Sequence, residues 1–391
     1  MNILIVTYKA DISGGSNRSL LSIIDLLNDG SNNITLILPK KNGKMYDEAN
    51  KRNIKVKYMH YSRIGARKPK SKLKCLEKIL IIKLKLLHDY FYTLLNYRTL
   101  KKMKIDVVYS NGSAIHAGRY ISRFLKVPHI WHIREFFEKT QIHLKNNYQI
   151  MAKDTDKFIL ISNDMFEEYK NNIDEKKLIM ISNGIKYKEC PEKEEHEGFN
   201  ILLTGRINYM KNQMDAIKAM NNLINEHRLK DIKLFFAGSC VDEKDKEYKI
   251  QLEKYIKENN LESNIVFLGE VNDLIEIRKK MDIELMCSIR EPFGRVTVEA
   301  MRSGLVIVGA NSGGTKDIII DGENGFFYEL NNIGQLSNVI KKLFLDKNTR
   351  ERIGKNARKF SRTHFTETQL QKTVDLIKNV VENARKGKNN I

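Results

Sequence analysis

The chain of 391 residues has little proline, tryptophan or cysteine: five, one and four, respectively. Cys75, Cys190, Cys240 and Cys287 lie far apart with no CxxC and no Cys/His spacing. Neither a disulfide framework nor a zinc site is therefore indicated, and a reducing cytosol is the simplest setting. No Pro-rich or Gly/Ser-rich tract marks a disordered linker, and no repeat of solenoid length recurs. The most apolar stretch, 79–97, is broken by Lys83, Lys85, His88 and Asp89, which disqualifies it as a bilayer-spanning helix. The opening MNILIVTYKADISGG lacks a basic flank and a small-residue cleavage site, so it reads as a first strand rather than a signal peptide. A cytoplasmic location is expected.

Acid is also scarce: 48 Asp and Glu face 68 Lys and Arg, a net charge of +20. The excess is uneven, because residues 61–105 alone hold 13 Lys/Arg against 2 Asp/Glu. Clustered cations could neutralise nucleic-acid phosphates, but no RNP-like aromatic motif, zinc finger or helix-turn-helix accompanies them. Anionic lipid headgroups explain a single basic patch as well. Within it Leu80, Leu84, Leu87, Phe91 and Leu94 share one face of a helix expected over 76–102, with Lys78 and Lys85 opposite. That face suits either a core helix or one that leans on anionic lipid, peripheral on the inner face of the cytoplasmic membrane.

Single hydrophobic cores stop growing near roughly 250–300 residues, so two domains are expected. Short apolar runs at 2–7, 34–38, 56–59, 106–110, 129–132, 157–162 and 177–182 alternate with helical patterns, as in a doubly wound parallel sheet. An acidic stretch, KYKECPEKEEHEG, follows, and a second series starts at 199–204 and continues at 232–238, 264–269, 282–287, 305–310 and 325–329. The boundaries read as 1–187, 188–365 and a final helix from 366 with an apolar stripe at Leu370, Val374, Ile377, Val380 and Val381.

Five segments carry candidate chemistry. In SIREPFGRVTVEAMRSG, Glu291 and Glu299 flank a Pro292-Phe293-Gly294 turn that opens a helix, with Glu291 in the loop and Glu299 nearly two turns inside. At 1.5 Å per residue the two carboxylates lie at most about 12 Å apart, the reach from a sugar to the ribose of its nucleotide. Backbone N–H groups around Phe293 to Val296 would point from the helix start toward a diphosphate. TGRINYMKN places Arg206 in the loop after Gly205 and Lys211 at the start of the next helix, a fork and a point charge suited to phosphate oxygens. SGGT sets Gly313 and Gly314 in a βα turn where backbone can approach a ligand closely. Taken singly, each of these also reads as an ordinary surface loop. In the first half, ISGGSNRSL carries Gly14 and Gly15 without the spacing of a GxGxxG nicotinamide fingerprint. WHIREF puts His132, Arg134 and Glu135 at the carboxyl edge of a strand, where α/β folds bind ligands.

The combination of Arg206, Lys211, Glu291 and Glu299, with its Glu-x7-Glu spacing, resembles the retaining glycosyltransferases of family 4. The resemblance is tight over 200–330 and loose over 1–185. It implies a GT-B fold: two Rossmann-like domains facing a cleft, the last helix crossing back to the first. It further implies transfer of a sugar from a nucleoside-diphosphate sugar, a UDP- or GDP-sugar, to an acceptor hydroxyl. A glycan or lipid-linked glycan acceptor is expected. No cofactor and no metal are expected, since a cation-loaded phosphate pocket needs no divalent ion and no DxD string lies near it.

By resemblance Arg206 and Lys211 hold the diphosphate and take up its growing charge, Glu299 binds the ribose, and Glu291 binds the sugar. Gly14, Gly15, Gly205, Pro292, Phe293, Gly294, Gly313 and Gly314 border the donor, and His132 reaches a sugar hydroxyl without acting as a general base. Lys316 and Asp317 stand where the family often has Pro-Glu. A GT-B sugar epimerase, a basic nucleic-acid-binding protein and an inactive assembly subunit stay open as alternatives.

Overall fold

The computed structural model describes residues 1–7, 10–12, 15–69, 71–137, 141–142, 144–186, 190–191, 193–271 and 273–389. They form two units, Met1–Lys186 with Glu367–Ile391, and Tyr187–Thr366. The first unit holds a parallel sheet of β1 (Asn2–Thr7), β2 (Asn33–Leu38), β3 (Lys55–Tyr58), β4 (Val107–Asn111), β5 (His129–His132), β6 (Lys157–Leu160) and β7 (Leu178–Met180), in the order β3-β2-β1-β4-β5-β6-β7. The second holds β8 (Phe199–Thr204), β9 (Ile232–Ala237), β10 (Ile265–Gly269), β11 (Ile283–Met286), β12 (Val306–Ala310) and β13 (Gly325–Tyr328), in the order β10-β9-β8-β11-β12-β13. In both sheets the order reverses beside the first strand, which opens the switch point where doubly wound folds bind ligands.

These strands read as nearly unbroken apolar runs because helices cover both faces of a parallel sheet. In β1 the period of two sorts the side chains: Ile3 and Ile5 enter one core cluster, Leu4 and Val6 the other. The first of these clusters also receives Leu20, Ile23, Ile24 and Leu27 from helix α1 (Gly15–Leu27).

Helix α2 (Lys72–Leu95) departs from the expectation of one helix over 76–102. It ends at Asn96, whose side-chain amide donates to the Tyr92 carbonyl at 2.8 Å, and a short helix, Tyr97–Lys102, follows. The core reading of its leucine face is also overturned. Leu80, Leu84, Leu87 and Phe91 are each more than half exposed, while Ile82, Leu86, Asp89 and Thr93 on the other side are buried. The buried side carries a polar anchor, Asp89, which accepts from the Ser62 N–H at 2.9 Å.

Helix α3 (Arg295–Arg302) follows β11 and helix α4 (Glu367–Asn389) closes the chain. Leu370, Val374, Ile377 and Val381 of α4 enter the same cluster as Ile3 and Ile5 of the first unit. Fully burying such side chains contributes roughly 1.5–3 kcal/mol each. Arg385 adds an ion pair to Asp106 at 2.8 Å. No helix among the described residues is long and apolar enough to cross a membrane.

Candidate active site

In the second unit the loops after β8, β11 and β12 carry the predicted side chains. Lys211 Nζ lies 2.7 Å from Glu291 Oε2, and the Ser288 hydroxyl donates to the same oxygen at 2.9 Å. Burial would raise the Glu291 carboxyl, but the charge and hydrogen bond of Lys211 and the hydroxyl of Ser288 outweigh it and hold the group below the ordinary glutamate value. The site therefore keeps an ionised carboxylate and its cation together, both largely withdrawn from water.

Gly313 and Gly314 brace this loop. The Gly314 N–H donates to the Glu291 carbonyl at 2.7 Å, and Ser312 Oγ donates to the Ser288 carbonyl at 3.0 Å. A Cβ on Gly313 would stand 2.4 Å from the Glu291 carbonyl oxygen, and one on Gly314 would stand 2.7 Å from that of Pro292. The space around both α-carbons is thus filled by the Glu291 loop's own backbone. Phe293 is buried with its ring 5.6 Å from that of Phe365, so only its backbone is placed to meet a ligand.

Gly294 caps α3 in the left-handed region at φ 102. The helix consequently starts at Arg295, and Glu299 lies little more than one turn inside it instead of nearly two. Its carboxylate sits 2.9 Å from Arg295 Nε and 3.7 Å from Arg278 Nη1. Arg278 is buried and fixed by Glu284, at 2.8 and 3.1 Å.

Lys211 does not begin a helix as the spacing suggested. It ends a one-turn 3-10 segment, Tyr209–Lys211, whose start is capped by Asn208, and Gln213–Asn221 follows after a left-handed Asn212. After this extra turn Lys211 reaches Glu291. Gly205 closes the loop from behind, since a Cβ there would meet Lys211 Cε at 3.2 Å. Arg206 has partners of its own: Nη2 lies 2.8 Å from Asp242 and Nε donates to buried Asp245. Its Nη1 has no partner among the described residues, so the guanidinium is held by one edge.

In the first unit His132 ends β5 and is buried. Its Nδ1 meets the Tyr109 hydroxyl, while Nε2 is buried with no partner among the described residues. Burial, aided by the charge of Arg134, pushes the imidazole well below its ordinary value, so it is neutral. Arg134 is buried as well, with Nε donating to Asn111 at 3.0 Å and Nη1 to Asn183. Ser162, next along the edge, has a buried hydroxyl with no partner among the described residues. Gly15 is the first residue of α1, whose Asn17 accepts from Thr7 at 2.9 Å and donates to the Asp11 carbonyl at 2.6 Å. Gly14 lies outside the described residues.

Sequence reasoning passed over Ser288, Asp242, Asp245 and Arg278. Ser288 stands three residues before Glu291, a spacing that a closed loop makes productive. Asp242 caps the helix Glu243–Glu258 and Asp245 lies in its first turn.

Two doubly wound domains with such strand orders define a GT-B protein. The crystal structure of Anabaena Alr3699/HepE in complex with UDP shares this fold with a TM-score of 0.79, at 19% identity over 97% of this chain and all of that one. Residues 186–360 match the family of glycosyl transferases group 1. The uncharacterized glycosyltransferase MJ1607 of Methanocaldococcus jannaschii is 32% identical over 161 residues, 41% of this chain and 39% of that protein. An Escherichia coli enzyme, UDP-Gal:alpha-D-GlcNAc-diphosphoundecaprenol alpha-1,3-galactosyltransferase, is 26% identical over 64% of this chain and 69% of its own length. The two units therefore share the GT-B fold, and the match to glycosyl transferases group 1 falls on the second.

Proposed function

We propose that the protein transfers a sugar, with retention, from a UDP- or GDP-sugar to the hydroxyl of a glycan or lipid-linked glycan. The partly buried Lys211–Glu291 pair carries this reading. Each ion neutralises the other until a donor arrives; Lys211 then turns to the diphosphate while Glu291 accepts from a sugar hydroxyl. Arg206, held by Asp242 and Asp245, offers its remaining edge to phosphate oxygens and meets the charge that develops as the glycosidic bond breaks. With two cations in these roles, no divalent ion is required.

Glu299, flanked by Arg295 and Arg278, accepts from the ribose hydroxyls. Backbone around Pro292, Phe293 and Gly294 completes the donor contacts, with Gly313 and Gly314 supporting that loop. His132 offers its Nε2 to a ligand hydroxyl at the carboxyl edge of its own sheet, where Gly14 and Gly15 border the first βα loop. The domains assigned from sequence, 1–187, 188–365 and 366–391, divide the acceptor side from the donor side in this reading. The basic segment 61–105 brings the protein to the anionic cytoplasmic face of a membrane, as a lipid-linked acceptor would require.

Calorimetry with UDP, GDP and their sugars, followed by NMR of the product's anomeric proton, tests the proposal. Retention of configuration with chelator present is expected. An inverted product, an obligatory divalent ion or epimerised donor in the absence of acceptor would each refute it.

A further inference from the structure

We propose that the groove beside α2 binds the hydrocarbon chain of a single phosphate-bearing lipid, drawn from the bilayer on which the exposed leucine face of α2 lies. The inference rests on the membrane reading above and assigns that surface a ligand. α2 exposes Leu73, Leu76, Leu80, Leu84, Leu87, Phe91, Leu94 and Leu95, each at least 44% accessible. Over 80–94 they advance by four and three residues in turn, a straight apolar edge roughly 21 Å long. A continuous exposed stripe of this kind marks an interaction surface.

The groove opens along this edge. Its volume is about 820 Å³, within the range of pockets that take a ligand of some size. Leu87 belongs both to its wall and to the exposed stripe, so the two surfaces are continuous. Ile79, Leu86, Tyr90, Leu144 and Ile150 supply most of the rest of the apolar wall, and no carboxylate among the described residues lines it. Lys83, Arg123 and Lys145 lie exposed around it and make no ion pair among the described residues. By contrast Arg119, deeper in, is neutralised by Asp154 at 2.9 Å.

An apolar trough with unpaired cations along it suits an alkyl chain whose phosphate stays near water. Charge decides between a bilayer and a second copy of the chain. A copy would bring another segment with 13 cations and 2 acids against the first, whereas anionic lipid supplies the missing negative charge.

The test uses the full chain and dodecyl phosphate below its micelle concentration. One-to-one binding is expected in calorimetry, with no binding of inorganic phosphate and binding of dodecyl maltoside weaker by at least about tenfold. Arg123→Glu with Lys145→Glu, and separately Ile150→Gln, should each weaken dodecyl phosphate by about tenfold or more. Leu80→Gln with Leu84→Gln and Phe91→Gln, all at exposed positions, should leave that binding intact. The same triple variant should abolish sedimentation with phosphatidylcholine vesicles containing phosphatidylglycerol.

Absence of saturable dodecyl phosphate binding, or indifference to the groove variants, overturns the groove assignment even if vesicles still sediment the protein. Dodecyl phosphate binding without sedimentation overturns the bilayer as source and the membrane reading with it. A dimer in light scattering that the triple variant dissociates makes the stripe a self-interface and overturns the proposal.

Discussion

The carboxyl edges of the two sheets are built differently. In the second unit charge meets charge: Lys211 with Glu291, Arg206 with Asp242 and Asp245, Arg278 with Glu284. In the first, Arg134 is hydrogen-bonded by the neutral amides of Asn111 and Asn183, beside a neutral His132. An ion pair can exchange one partner for an anionic ligand at low electrostatic cost, whereas a network of amides, hydroxyls and imidazole is suited to sugar hydroxyls. In the proposed reading the second unit is the donor side, which handles a diphosphate, and the first the acceptor side, which handles carbohydrate.

The largest effect should come from the donor side. Lys211→Ala and Arg206→Ala should each lower turnover at least about tenfold, or about 1.4 kcal/mol of barrier, in a steady-state transfer assay. Ordinary turnover in both variants would remove the assigned roles.

Acid should separate the two units. Burial depresses His116, His129 and His132, with His129 pushed down to about 3. Each takes up a proton on unfolding below the ordinary value of 6.5 but not in the native state. Stability of the first unit therefore falls as pH drops through 6.5, by up to about 1.4 kcal/mol per histidine per pH unit. Glu291 works lower: its folded value lies under the ordinary 4.5, so its contribution is present above 4.5 and is lost as pH falls further. Hydrogen exchange read by mass spectrometry should show residues 1–186 losing protection first on acidification. Simultaneous loss in both units would contradict the contrast.

Within the donor side, Glu299→Ala should weaken UDP or GDP binding by about tenfold in calorimetry, while Glu291→Ala leaves nucleotide affinity near normal and impairs transfer. Equal nucleotide affinity after Glu299→Ala would withdraw the ribose contact. The smallest effect is expected at Arg206's carboxylate partners. Asp242 is half exposed, so Asp242→Asn should change turnover by less than about threefold, the scale of an exposed pair, and Asp245→Asn should change it more. The reverse order would mean that buried Asp245 does not orient the guanidinium.

The thirteen principal strands were legible because parallel strands are apolar on both faces and end in turn-formers. The helix breaks were less so. Asn96 is a local stop signal, its amide acting on a carbonyl one turn back, but the apolar pattern runs on past it. Periodicity showed that Leu80 to Leu94 share a face, but not that Ile82 and Leu86 would be chosen for packing. That choice depends on Ile142, which lies far along the chain. The same distance hid Asp242 and Asp245, 36 and 39 residues from Arg206. Motif spacing identifies candidates for ligand contact, whereas their resting partners are set by tertiary structure.

The packing of α4 also bears on the order of folding during synthesis. Domains commonly fold as they leave the ribosome, the first-made ahead of the next. Here Leu370, Val374, Ile377 and Val381 belong to the core of Ile3 and Ile5, so that core cannot close until residue 381 has been translated. Residues 187–366 have no such wait and can fold first. Strand β1 must then wait through the synthesis of the second unit with one helix-sized apolar face uncovered, a surface prone to aggregation in the nascent chain.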